Sequence, residues 1–156
     1  MRPSDAIFEA GSGGRDREVK GLGQAEGFAR GHLAAAVAQV RAEAKDRPVV
    51  LLFGGDLLQG TVTSSLFFGS PDVILFERLG VDAAVMGNHE LDYGQDVFRR
   101  LVGLARFPFL TANVQSDPEP LPVRPSVIVA KPGGPRVAVL GLTTPELTTA
   151  THPRNV

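Results

Sequence analysis

Apolar positions between Phe28 and Val40 recur close to every 3.6 residues, at Phe28, Leu33, Ala36, Val37 and Val40. That spacing predicts an amphipathic helix from Phe28 to Lys45, favoured by its alanines and ended ahead of Pro48. The next run, Val49-Val50-Leu51-Leu52-Phe53, is apolar without alternation, the pattern of a central strand covered on both faces. The alternation of elements then repeats. Pro71-Asp72 to Leu79 predicts a short helix with proline in its first turn, stopped by Gly80. Asp82 to Met86 predicts a second strand, Gly94 to Ala105 another helix, and Pro108 to Ala112 a third strand ending at Asn113. Strand, helix, strand, helix, strand calls for parallel crossovers and an α/β fold.

The character of the chain changes at both ends of this region. Residues 1–27 are rich in glycine and charge, with Gly11-Ser12-Gly13-Gly14 at their centre, and read as a polar loop. Gln115 to Pro125 is a proline-rich link. Ser126–Ala130 and Arg136–Leu140 around Lys131-Pro132-Gly133-Gly134-Pro135 read as a hairpin. Gly141 to Glu146 is a loop from a strand end, and no closing element is expected from there to Val156.

Composition narrows the functions open to the chain. With no cysteine, disulfides, Cys-ligated zinc and cysteine nucleophiles are excluded. A formal net charge of -1 gives no bulk attraction to polymeric nucleic acid or to an acidic membrane. No run of 18 apolar residues predicts a membrane span, and the N-terminus has no apolar signal segment. No Gly-x-Ser-x-Gly elbow points to a serine nucleophile.

The chemistry-bearing residues sit where the strands end. Gly54-Gly55-Asp56-Leu57-Leu58-Gln59-Gly60 follows the first strand and Gly87-Asn88-His89-Glu90 the second. Asp56 is placed either to hold a hard divalent ion or to cap the next helix, and the glycines let the backbone approach an ion or a phosphate. Asn88 offers a neutral oxygen to such an ion. His89 can donate a proton to a leaving oxygen or steady charge on a phosphoryl group. Glu90 either hydrogen-bonds the other imidazole nitrogen or caps the local turn, and Asp92 reads as the N-cap of the helix beginning near Gly94. Asn113 is a candidate for a pocket or for substrate positioning. Thr143 and Thr144 suit loop hydrogen bonds, His32 a surface or structural role, and His152 a terminal loop. Gly11 to Gly14 is no phosphate loop, because no strand precedes it and no Gly-Lys-Ser/Thr follows.

Taken jointly, Leu51 to Gly60 and Leu79-Gly80-Val81-Asp82-Ala83-Ala84-Val85-Met86-Gly87-Asn88-His89-Glu90-Leu91-Asp92-Tyr93-Gly94 resemble the calcineurin-like metallophosphoesterases. Ala112-Asn113-Val114 and Val137 to Pro145 extend the likeness, which is greatest to the N-terminal catalytic domain of the 5'-nucleotidase family. The resemblance implies a layered α/β sandwich with a largely parallel sheet flanked by helices. It implies that Asp56 bridges two divalent ions (Mn, Zn, Fe, Co or Mg), that Asn88 ligates one of them, and that His89 contacts the phosphate. In the intact form it implies hydrolysis of a nucleoside monophosphate to nucleoside and phosphate. A 2',3'-cyclic nucleotide phosphodiesterase, another metallophosphoesterase, or an inactive interaction module are the alternatives. It also implies a periplasmic or extracellular setting.

The family pattern is incomplete here. No Asp-x-His occurs anywhere, Ser4-Asp5-Ala6-Ile7 being the nearest approach, and no Gly-His-x-His follows. The expected organisation is a polar loop at 1–27, a partial metallophosphoesterase domain at 28–149, and a tail of a truncated domain at 150–156. Such a partial sheet exposes edge hydrogen bonds and apolar faces, so self-association or a complementing chain is expected, with little or no turnover by this polypeptide alone.

Overall fold

The computed structural model describes residues 22–152, 154 and 155, with side chains from residue 30 onward. The readings made for residues 1–21, including Ser4 to Ile7 and Gly11 to Gly14, lie outside the described residues. The first helix, α1, spans Leu22–Ala44 and so begins six residues before Phe28. The polar loop expected to reach residue 27 is therefore too long. Gln24, Ala25 and Glu26 are good helix formers, and their propensity outweighs that of Gly23 and Gly27.

Three short strands follow: β1 (Leu52–Phe53), β2 (Ala83–Val85) and β3 (Phe109–Leu110). They form a parallel sheet in the order β1-β2-β3, with Phe53 paired to Ala84 and Ala84 to Phe109. Their connections run through α2 (Val62–Leu66) and α3 (Ser70–Leu79), then through α4 (Gln95–Leu104). Because the strand order never reverses, right-handed crossovers must lay both connections on one face of the sheet. The packing agrees. Phe53, Ala84 and Phe109 share that face through their register, Phe76 of α3 meets Phe53 edge-on at 4.5 Å, and Phe98 of α4 meets Phe109 edge-on at 5.2 Å. Phe98, Phe109, Met86, Leu91 and Leu101 are the largest side chains fully withdrawn from water. Arg30 of α1 reaches Asp72 of α3 at 2.8 Å and ties the long helix to this layer. Burial pushes the Asp72 carboxyl up, opposed by its neighbours Ser64 and Arg30.

The opposite face is different. Leu52, on the other side of β1, remains 47% exposed. The run from Val49 was read as covered on both faces, yet among the described residues the second cover is missing at this point. Elsewhere on the molecule Leu66, Phe67, Phe68, Ile74, Ile128, Leu140 and Leu142 are also exposed. Their exposure matches the apolar surface expected of part of a layered domain.

The hairpin forms over the expected residues, with β4 (Ser126–Ala130) antiparallel to β5 (Arg136–Leu140). It is joined to β3 by the strand-like residues before it. Arg124 donates its N–H to Phe109 O at 3.0 Å and accepts from Thr111 N at 2.9 Å. Past β5, Gly141 donates to Pro125 O at 3.1 Å and accepts from Ala112 N at 2.9 Å. Lys131 in the hairpin turn pairs with Asp82 at the head of β2. A last short helix, α5 (Leu147–Ala150), buries Leu147, in a stretch where no closing element was expected.

Gly141 is placed against the backbone of Leu110, where an added Cβ would stand 2.5 Å from the carbonyl carbon. Gly141→Ala is expected to destabilise the chain by about 1–3 kcal/mol, the range for overpacking in a closed interior. Urea unfolding of the two proteins followed by far-UV circular dichroism measures it.

Candidate metal and phosphate site at the strand ends

Parallel strands bring their C-terminal ends to one edge, and the turns after β1 and β2 meet there. An added Cβ on Gly55 would stand 2.9 Å from Gly87 N, so the two backbones are in contact where side chains would hold them apart. Gly55 has φ 100, a region open to glycine. Asp56 follows in the left-handed region at φ 61, a conformation costing an L-residue roughly 1–2 kcal/mol, though Asp tolerates it better than most. This bend turns the exposed Asp56 side chain toward the second turn, where Oδ1 accepts from His89 N at 3.2 Å. Asp56 does not cap the following helix. Thr61 performs that role, accepting from Ser64 N at 3.0 Å.

Asn88 and His89 lie in the turn after β2, His89 opening a single 3₁₀ turn, His89–Leu91. The Asn88 carbonyl accepts from Leu91 N and from Thr151 Oγ1, while its side-chain amide has no hydrogen bond among the described residues. His89 Nδ1 stands 2.5 Å from Asp92 Oδ2. The hydrogen bond to Asp92 holds the imidazole above the usual histidine range; burial opposes the shift, and the charges of Asp92, Asp56 and Glu90 add to it. Nδ1 then serves as donor to Asp92, and Nε2 is left to deliver a proton.

Two expectations change here. Asp92 is not the N-cap of α4; Gly94 occupies that position without a side-chain cap. The 3₁₀ turn instead stacks residues three apart, which brings Asp92 under the ring of His89. Glu90, for its part, neither reaches the imidazole nor caps the turn after it. It is 1% exposed, and Oε2 accepts from Asp56 N at 2.9 Å and Gly87 N at 2.6 Å, while Oε1 accepts from Leu57 N at 2.5 Å. Burial raises its pKa, and those three N–H bonds act against the rise.

Asn113, three residues past β3, uses both ends of its amide on Thr143, donating from Nδ2 to Thr143 O at 2.8 Å and accepting from Thr143 N at 2.9 Å. Thr143 in turn is buried, with Oγ1 2.6 Å from Met86 O and 2.8 Å from Thr111 Oγ1. The loop after β5 is thereby fastened beneath the turn that carries Asn88. Thr144 bonds locally to Glu146, His32 is exposed on α1, and His152 accepts from Arg154 N at 3.2 Å. None of these last three joins the Asp56–His89 group in any contact among the described residues. The Asp92 pairing is the feature that sequence reasoning missed. Its signal was the His-x-x-Asp spacing, hidden because a nearer helix start competed for the carboxylate.

The donors suit a hard or borderline divalent cation. Asp56 retains an oxygen with no partner among the described residues, and the Asn88 amide is unengaged. Two donors are fewer than the roughly four to six such an ion takes. Among the described residues no three His, Cys, Asp or Glu side chains converge to hold a metal. The described residues therefore fit as contributors to such a site and do not complete one among themselves.

No protein-family model matches the chain. It is 35% identical over 111 residues to the probable 5'-nucleotidase of Treponema pallidum (strain Nichols), covering 69% of this chain and 18% of that protein. It superimposes on the 5'-nucleotidase precursor from Thermus thermophilus with a TM-score of 0.59 at 34% identity, covering 68% of this chain and 22% of that one. On the calcineurin-like phosphoesterase YfkN from Bacillus subtilis the TM-score is 0.57 at 25% identity, covering 75% and 41%. The chain spans about a fifth of the length of the curated relatives it matches.

The Asp92 pairing gives a pH prediction. A raised folded-state pKa means that the imidazolium contributes stability below the ordinary histidine range, near 6.5, and that this is lost as pH climbs through the folded value. Titration of the His89 ring protons by NMR should give a midpoint above that of free histidine, and Asp92→Asn should bring it down. An unchanged midpoint in the variant would mean that the Asp92 bond is not the cause.

Proposed function

We propose that this chain, which belongs to the 5'-nucleotidase group of the calcineurin-like metallophosphoesterases, supplies part of a metal-dependent phosphate-ester hydrolase acting on nucleoside monophosphates. The observation that carries the reading is the convergence of Asp56 and the Asn88–His89 turn at one edge of a parallel sheet, with Oδ1 of Asp56 on His89 N at 3.2 Å. Related proteins named as 5'-nucleotidases support it.

Within that reading, Asp56 and Asn88 hold divalent metal together with donors from outside the described residues. When bound, such metal polarises the phosphoryl group and lowers the pKa of water. The protein's own residues do the rest. His89, whose charged form the Asp92 hydrogen bond favours, steadies charge on the phosphoryl oxygens or gives its proton to the leaving oxygen. Its exposed side chain leaves the site open to a substrate approaching from solvent. Because these groups touch only the phosphate, a 2',3'-cyclic nucleotide is the second substrate class to test. The exposed apolar side chains at Leu52, Ile128, Leu140 and Leu142 are covered, on this reading, by further polypeptide or by a second copy of the chain.

The decisive measurement is Mn²⁺-dependent release of phosphate from AMP and from p-nitrophenyl phosphate by a full-length protein carrying this sequence. Asp56→Ala is expected to lower turnover by at least about two orders of magnitude, the scale for losing a group that stabilises the transition state, while circular dichroism stays unchanged. A folded variant with undiminished metal-dependent turnover defeats the assignment.

A further inference from the structure

We propose that Glu90 is the positioning residue of this site: its carboxylate holds Asp56 in a left-handed backbone and seats the turn at 55–57 on the turn at 87–90. Asp56 and Asn88 then open on the same space. The clamp stands on geometry alone, and only its metal readout rests on the reading of Asp56 and Asn88 as cation ligands.

Among the described residues, no other group receives the backbone of this turn. Pairing of β1 with β2 ends at Phe53 and Ala84, three residues short of Asp56. The first capped helix beyond it starts only after Thr61. Between these points the backbone N–H groups of Asp56 and Leu57 face inward, and both are received by Glu90. Glu90 also takes Gly87 N from the second turn, so one side chain binds both turns. Water cannot replace it, because Glu90 is 1% exposed. Both of its oxygens are occupied by backbone donors, which removes Glu90 itself from the list of cation ligands. It is also separate from the imidazole, which pairs with Asp92.

The donor count decides what the conservative substitution does. Three N–H groups require two acceptor oxygens, and glutamine has one. In Glu90→Gln the remaining oxygen best serves Asp56 N and Gly87 N together, which sets the new NH₂ against the Leu57 N–H. Two donors then face each other in a buried place, and the turn at 55–57 must lift away. The expected loss is local, because the bonds of that carboxylate described here go to Asp56, Leu57 and Gly87.

The experiment uses the 156-residue chain, wild type and Glu90→Gln, with amide hydrogen exchange followed by NMR and Mn²⁺ titration read by paramagnetic broadening. In the wild type the amides of Asp56, Leu57 and Gly87 should be protected in step. In the variant Leu57 should exchange at least about tenfold faster while Phe98, bonded to Gly94 O, keeps its rate. Half-saturating Mn²⁺ at the Asn88 and His89 signals should rise by about 10–100-fold, the usual consequence of removing an outer support of a ligand. A folded variant that keeps both the Leu57 protection and the Mn²⁺ response overturns the proposal. Should Glu90→Gln not fold, the wild type alone decides: rapid exchange at Asp56 and Leu57 overturns the clamp, and joint protection supports it. If Mn²⁺ leaves the wild-type signals at 56, 88 and 89 untouched, Asp56 and Asn88 do not hold the ion without donors from outside the described residues, and the exchange rates alone judge Glu90.

Discussion

Backbone turns that must bend back on themselves carry N–H groups with nowhere to go, and in this protein three such groups, two from one turn and one from another, converge on one buried carboxylate. Buried amide donors left unpaired are costly, and a charged acceptor gives stronger bonds than a neutral one. The contact of the Gly55 and Gly87 backbones, the unusual torsion of Asp56 and the proximity of His89 all presuppose that these donors are satisfied. The burial of Glu90 is thus matched by its bonding, and its charge lies where it orders two loops at once.

Around that point the fold is simple. Three parallel strands in sequential order send both helical connections to one face, where Phe76 and Phe98 close on Phe53 and Phe109. The hairpin then returns to the far end of β3 and fastens the site from beneath. The reverse side of β1 lacks an equivalent layer among the described residues, as the exposure of Leu52 records. That imbalance accords with a chain spanning about a fifth of its relatives' length.

Much of this was legible in the residues. The uninterrupted apolar runs marked the parallel strands, the two short segments around Lys131 to Pro135 marked the hairpin to the residue, and the glycine-framed turns marked where Asp56 and His89 meet. Strand lengths were overestimated, because apolarity reports burial and not ladder pairing: Val49 to Leu51 lie outside β1. The helix at Val62–Leu66 was missed, since five residues give no period to detect. Partner choice was the least accessible. Glu90, His89 and Asp92 lie within four positions of one another, and no spacing rule states which carboxylate turns inward to the backbone and which turns toward the ring. That depends on the donors left over by Asp56 and Leu57, which are distant in sequence.

The hydroxyl of Thr143 has a consequence of its own. It grips the carbonyl of Met86, 57 residues away along the chain, and Met86 is the last residue before the glycine that opens the imidazole turn. A disturbance in the hairpin therefore has a short path, through this one bond and the backbone beyond it, to the neighbourhood of Asn88. Loops that look peripheral on a map of the sequence are, mechanically, the floor on which the turn of Asn88 and His89 stands.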